Sequence, residues 1–206
     1  MNKLLKIIKG RRSIREFLPE KVPAKRIREL IEAARWAPSA HNAQPWRFFL
    51  LDGEEEKERL AEAMAGAFRR VLKKDRHPDA EIGSRVRKSV LRLRAAPSLI
   101  LVCLCREDCR SYSDRRRNRL EEILAHHGIG AALQNILLLA SSRGLGTCWI
   151  SAPLFCPQAV SDALAVPQNW EPVALIAVGR PIAGKKQGTR RGLQTIFGAR
   201  KKGSVS

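Results

Sequence analysis

Aromatic residues are scarce. They make up 5% of the 206 residues, and only one is a tyrosine. A base-stacking platform for single-stranded nucleic acid needs aromatic faces in series, so this scarcity argues against one. Long apolar runs are missing too: none reaches the roughly 20 residues that cross a bilayer. Near the start, Leu4, Leu5, Ile7 and Ile8 are interleaved with lysines, so no signal-peptide apolar core forms there. A cytoplasmic protein with no membrane partner is expected. The five cysteines (Cys103, Cys105, Cys109, Cys148, Cys156) are odd in number and include no C-x-x-C pair. Neither a disulfide framework nor a zinc site is indicated, and reduced structural thiols are the simplest reading. Walker A and G-x-S-x-G sequences are absent. G-L-G-T-C-W at Gly144 to Trp149 lacks the third glycine of the dinucleotide fingerprint and precedes a strand rather than a helix. His126 and His127 are adjacent, so on a helix they diverge by about 100° and cannot share a metal. With no nucleophile and no metal constellation, any chemistry is expected from a cofactor.

Acidic residues are the remaining shortage. Lys and Arg number 39 against 20 Asp and Glu, a formal net charge of +19, with the excess concentrated between Arg69 and Arg119. Such a field favours anionic partners. Nucleic acid is one candidate, although no nucleic-acid module is recognisable. A polyanionic small molecule, or simple solubility, accounts for the charge equally well.

What is present alternates helical and strand patterns, which makes the class α/β or α+β. Asn2 to Lys9 reads as a short amphipathic helix ended by Gly10. Val22-Pro23 opens a second, with Pro23 at its first position and Ile27, Leu30, Ile31 and Ala34 in one apolar stripe. Trp46 to Leu51 reads as a buried strand. Glu54 to Lys74 and Glu81 to Arg94 read as charged helices, and Ser98 to Cys105 as an inner strand, apolar on both faces. Arg106 to Arg119 reads as a polar surface connection, partly mobile. Glu121 to Ser142 carries the longest helical signal. Leu138 and Leu139 lie opposite its main stripe, which suits burial or a subunit interface. Thr147 to Ile150 and Val173 to Val178 read as further strands, with a short helix over Pro157 to Leu164 between them. One domain over residues 1–206, with a basic tail from Gly184, is expected.

Two stretches suit a polar ligand. In P-S-A-H-N-A-Q-P-W, Pro38, Ser39, Asn42 and Pro45 break helix and deliver hydroxyl and amide groups straight into a core strand. The same residues also form ordinary Asx- and Ser-type turns. In R-R-S-I-R, Arg11, Arg12 and Arg15 surround Ser13. Guanidinium forks match phosphate oxygens, though a solvated basic turn has the same composition.

In their order along the chain, R-R-S-I-R, A-P-S-A-H-N-A-Q-P-W-R-F, a long buried helix, G-L-G-T-C-W-I and V-G-R-P resemble the FMN-dependent nitroreductase family, over nearly the whole length. S-Y-S-D at Ser111 to Asp114, R-G-L-G-T-C-W-I-S at Arg143 to Ser151 and N-W-E-P at Asn169 to Pro172 are similar to a particular branch. This is the nitroreductase-like C-terminal domain of the ligase that adds glutamates to the deazaflavin coenzyme F-420, whose ligase half is absent here. The resemblance implies a central, mostly antiparallel sheet flanked by helices, in an intertwined homodimer with FMN at the interface. It implies that Arg11, Arg12, Ser13 and Arg15 bind the phosphate, the ribityl chain and the polar ring edge. Pro38, Ser39, Asn42 and Gln44 would arrive from the other subunit. Ser151, Ala152 and Pro153 would lie along the isoalloxazine, and Arg190 or Arg191 would close on the phosphate.

The implied reaction is ping-pong hydride transfer at FMN N5. NADH, NADPH or a deazaflavin would be the donor, and a small, anionic molecule such as a dehydro deazaflavin precursor the acceptor. Tyr112, Arg115 and Arg116 would meet that substrate. A broad quinone or nitro-compound reductase is the alternative within the class. A basic nucleic-acid-binding protein with a vestigial flavin fold is the alternative outside it.

Overall fold

The structure, a computed structural model, describes residues 2–182 and 188–198. Its centre is β2, Ser98–Cys105, in which every residue is buried. Successive side chains leave a strand on opposite faces. Ile100, Val102 and Leu104 therefore enter one core, and Leu99, Leu101 and Cys103 the other. A strand buried on both faces has no use for polar alternation, which is why S-L-I-L-V-C-L-C is a continuous apolar run. Burial pushes the Cys103 thiol up to about 12.

β1 (Trp46–Leu51) and β4 (Trp170–Gly179) flank β2, and β3 (Gly146–Ile150) pairs with the outer edge of β4. The order is β1-β2-β4-β3 and every pairing is antiparallel, with Phe49 opposite Leu101 and Leu101 opposite Leu175. This decides the class as α+β, with the antiparallel sheet the resemblance implies. Six α-helices are described: α1 Lys3–Gly10, α2 Ala24–Arg35, α3 Glu54–Lys74, α4 Asp79–Arg94, α5 Arg115–Ser142 and α6 Pro157–Leu164. Residues from α2 and α5 cover one face of the sheet. Residues from α3 and α6 cover the other, and α4 packs against α3.

Several boundaries differ from expectation, two of them with a clear physical reason. Pro23 is the N-cap of α2 rather than its first helical residue. The second difference is larger: α5 begins at Arg115, so the stretch from Arg115 to Arg119 is helix and not connection. Four arginines near a helix N-terminus oppose the macrodipole, which hides the helix in the sequence. Asp114 offsets them by accepting the Arg117 N–H at 2.9 Å. That hydrogen bond, with the Arg117 guanidinium behind it, holds the Asp114 carboxyl below its ordinary range.

By length and composition α5 is apolar enough to cross a membrane. Ile129, Ala132, Leu133, Ile136 and Ala140 of this helix are nonetheless buried in the chain's own core. Large apolar side chains do remain exposed: Leu4, Leu5 and Ile8 on α1, Leu120, Ile123 and Leu124 on α5, and Leu193, Ile196 and Phe197 near the C-terminus. Of the expected basic tail, residues 184–187 and 199–206 lie outside the described residues.

Candidate functional site

Beyond α1 the chain runs alongside the sheet. Ser13 bridges Thr147, and the Ile14 N–H donates to the Thr147 carbonyl at 2.8 Å. Further on, Phe17 bridges Pro181, and the Leu18 N–H donates to the Arg180 carbonyl at 2.9 Å. The arginine segment thus extends the sheet beside β3. A Cβ at Gly146 would come within 2.9 Å of the Ile14 side chain, so this close approach needs the glycine.

The placement carries Arg15 into a cavity of about 190 Å³. Trp149 and Ile150 of β3 line it, as do Met64 of α3 and Ser89 and Arg92 of α4. Two guanidinium-bearing residues from separate elements share this space, and no acidic side chain is among its lining residues. Part of the wall is cationic, Ser89 adds a hydroxyl, and most of the rest is aromatic or aliphatic. A planar ring with a polar edge fits that division. β3 ends at Ile150, and Ser151, Ala152 and Pro153 follow it directly into a 3-10 turn. Arg15 and the 151–153 segment are therefore brought to the same edge of the sheet.

Arg11 and Arg12 line a separate cleft of about 260 Å³, together with Ser141 at the end of α5 and Thr147 of β3. Arg12 is partly committed already. Its Nη1 donates to the Lys9 and Arg11 carbonyls, both at 2.6 Å.

The Pro38–Gln44 loop lies elsewhere. Ser39 packs on Gly128 of α5, where a Cβ would meet the Ser39 Cβ at 3.2 Å. Ser39 Oγ accepts the Gln44 N–H at 2.9 Å, and the Gln44 amide reaches the Asn42 carbonyl at 3.4 Å. His41, Asn42 and Gln44 all have left-handed backbone, with φ of 54°, 56° and 49°. Gly128, under this loop, and Ser141, beside Arg11 and Arg12, are thirteen residues apart on α5, about 20 Å along the axis. Within one protomer the two sequence motifs do not meet.

The remaining expected residues are peripheral. Arg190 and Arg191 are exposed, and Arg190 Nη1 donates to the neighbouring Thr189 carbonyl. The backbone of Tyr112 exchanges hydrogen bonds with the Asn118 amide at 2.8 and 2.9 Å, and the Arg117 guanidinium lies 4.9 Å from its ring centre. Arg115 and Arg116 are exposed on the first turn of α5.

Ser89 and Arg92 escaped the sequence reading. Their three-residue spacing puts them on one face of α4, beside the buried Leu93. In a helix with so many other cations, that was the only signal.

The sequence pattern of the nitroreductase family matches residues 8–180. YfhC of Bacillus subtilis, provisionally named an NAD(P)H nitroreductase, is 30% identical over 175 residues, covering 85% of this chain and 82% of that protein. The 5,6-dimethylbenzimidazole synthase of Rhodospirillum rubrum is 29% identical, covering 85% of this chain and 80% of its own. Among solved structures, the FMN complex of a nitroreductase-like protein from Desulfovibrio desulfuricans superposes with a TM-score of 0.72 at 29% identity, covering 96% of each chain.

Proposed function

The chain belongs to the nitroreductase family, and on that premise we propose that it is an FMN-dependent oxidoreductase passing hydride from NADH or NADPH to a small, anionic acceptor. The observation that carries this reading is the convergence of Arg15 and Arg92 on one cavity with no acidic lining, walled by Trp149 and Ile150. The residues present fit the cofactor. Arg15 and Arg92 would lie against the polar edge of the ring, where they offset negative charge as the ring is reduced. Arg11 and Ser13 would hold the phosphate, with Arg12 contributing less because its Nη1 is engaged with carbonyls. Ser151 to Pro153 would run along the ring, and Arg190 or Arg191 would close the phosphate end.

FMN supplies reversible two-electron chemistry, which no side chain here provides. The protein contributes position and a cationic setting. Pro38, Ser39, Asn42 and Gln44 would complete the site from a second copy of the chain. Two observations support such a dimer: the 20 Å offset along α5, and the exposed apolar side chains of α1, α5 and the C-terminal segment. For the acceptor, we favour a molecule bearing phosphodiester or carboxylate groups, such as a dehydro deazaflavin precursor. The basic excess and the S-Y-S-D stretch beside Arg115 and Arg116 support that choice.

The test begins with FMN titration, followed by assays of NADH and NADPH oxidation with deazaflavin, quinone and nitroaromatic acceptors. A yellow protein with acceptor-dependent turnover is expected. A protein that takes up no FMN overturns the proposal. Equal turnover of neutral and anionic acceptors overturns the acceptor class alone.

A further inference from the structure

Few polar residues are fully buried among those described, and Glu121 is one, at 4% exposure. It lies on α5 beneath the Ser39–Gln44 loop. One carboxylate oxygen is 3.7 Å from His41 Nε2, and the other accepts the Arg110 N–H at 3.4 Å. The Cys109 thiol, raised chiefly by burial and next by this carboxyl, is a further titratable neighbour. His41 is no ordinary loop residue, because it opens the left-handed series at His41, Asn42 and Gln44. Left-handed backbone in residues other than glycine persists only where the surroundings over-determine it. Within the loop, Ser39 Oγ and the Gln44 amide tie the two ends together. From outside, α5 touches it at two points on one helical face, about two turns apart: Gly128 admits Ser39, and Glu121 meets His41.

A carboxyl group is costly to bury, so one placed under a strained loop calls for a use. We infer that Glu121 is a positioning residue for the cofactor: through His41 it fixes the conformation in which Ser39 and Asn42 meet FMN. The inference rests on the FMN reading above and on the loop's part in it. Glu121 itself touches no cofactor. Its effect travels through the imidazole to the loop backbone.

The experiment compares wild-type protein with Glu121→Gln, Glu121→Ala and His41→Ala. FMN affinity is followed by flavin fluorescence, the ring's environment by visible circular dichroism, and the fold by the thermal midpoint of the apoprotein. Each variant is expected to bind FMN about tenfold more weakly and to show an altered flavin dichroism band. The double variant Glu121→Ala with His41→Ala is expected to lose no more than either single one, because the two act as a unit. His41→Ala guards against a folding failure at Glu121, since the His41 side chain is 35% exposed. FMN affinity and dichroism unchanged in His41→Ala and Glu121→Gln, in a wild type that binds FMN, would overturn the positioning role alone. A wild type that binds no FMN overturns the cofactor reading and this inference with it. Losses that add in the double variant would also overturn it, because they would mean independent roles.

Discussion

A Cβ built on Gly179 would stand 2.8 Å from Phe17 Cδ1, with Pro97 as close on the same side. Phe17 bridges Pro181 immediately beyond β4, so this contact is what presses the arginine segment onto the sheet. Gly179→Ala is expected to destabilise the protein by about 1–3 kcal/mol through overpacking. Gly144→Ala has open space around it but φ of 74°, and should cost about 1–2 kcal/mol through backbone conformation alone. Urea denaturation of the two variants checks both. A neutral Gly179→Ala would mean that Phe17 can swing aside.

Arg15 and Arg92 should both contribute to FMN binding from the one cavity they line. Replacing either by alanine is expected to cost about 1.5–3 kcal/mol of FMN affinity, as for a hydrogen bond involving a charged group. Arg11→Ala should weaken binding in the same range, and Arg12→Ala by less. Isothermal titration gives the ranking; Arg12→Ala as damaging as Arg11→Ala would contradict the assignment.

Cys103 should be silent toward thiol reagents in the folded protein, because only the thiolate reacts and burial holds the thiol up to about 12. The sign of its pH linkage follows. Above its ordinary value of 9.0 the unfolded chain releases this proton while the folded chain keeps it until about 12. Stability therefore falls across that window, by up to about 1.4 kcal/mol per pH unit from this group. Cys103→Ala lowers stability at neutral pH by leaving a cavity, yet its alkaline slope should be shallower. Parallel slopes in pH-dependent denaturation would remove the claim.

The basic surface should steer acceptors. For an anionic acceptor, kcat/KM is expected to fall as salt rises toward physiological strength, where the Debye length is about 8 Å. A neutral acceptor of similar size should show a flat profile. If both profiles are flat, the arginines serve solubility only.

Much of the fold was legible because its signals were local. The bounds of β1, β2, α3 and α6 follow directly from apolar runs and from the Gly and Pro residues beside them. β4 begins at Trp170, three residues before the expected Val173, because the half-buried Trp170 and Glu171 break the apolar run. The start of α5 was obscured by like charges that Asp114 offsets. The site was half legible. R-R-S-I-R and the Pro38–Gln44 loop stand out as punctuation and clustered charge, whereas Ser89 and Arg92 look like any helix surface until tertiary packing turns α4 toward β3. The role of Gly128 was equally hidden, since nothing in the sequence announces which glycine faces a loop.

The thirteen-residue separation of Gly128 and Ser141 on α5 has a genetic consequence. If each protomer of the proposed dimer lends its Ser39–Gln44 loop to its partner's arginine segment, every site has two parents. A lesion at Arg15 and a lesion at Asn42, each disabling alone, should then complement when the two chains are co-expressed: the mixed dimer holds one doubly damaged site and one intact site. Two lesions within the same segment should never rescue each other. Flavin content of the purified mixed dimer reads this allelic pattern directly, and failure of the Arg15 and Asn42 pair to complement would place both segments in the same protomer's site.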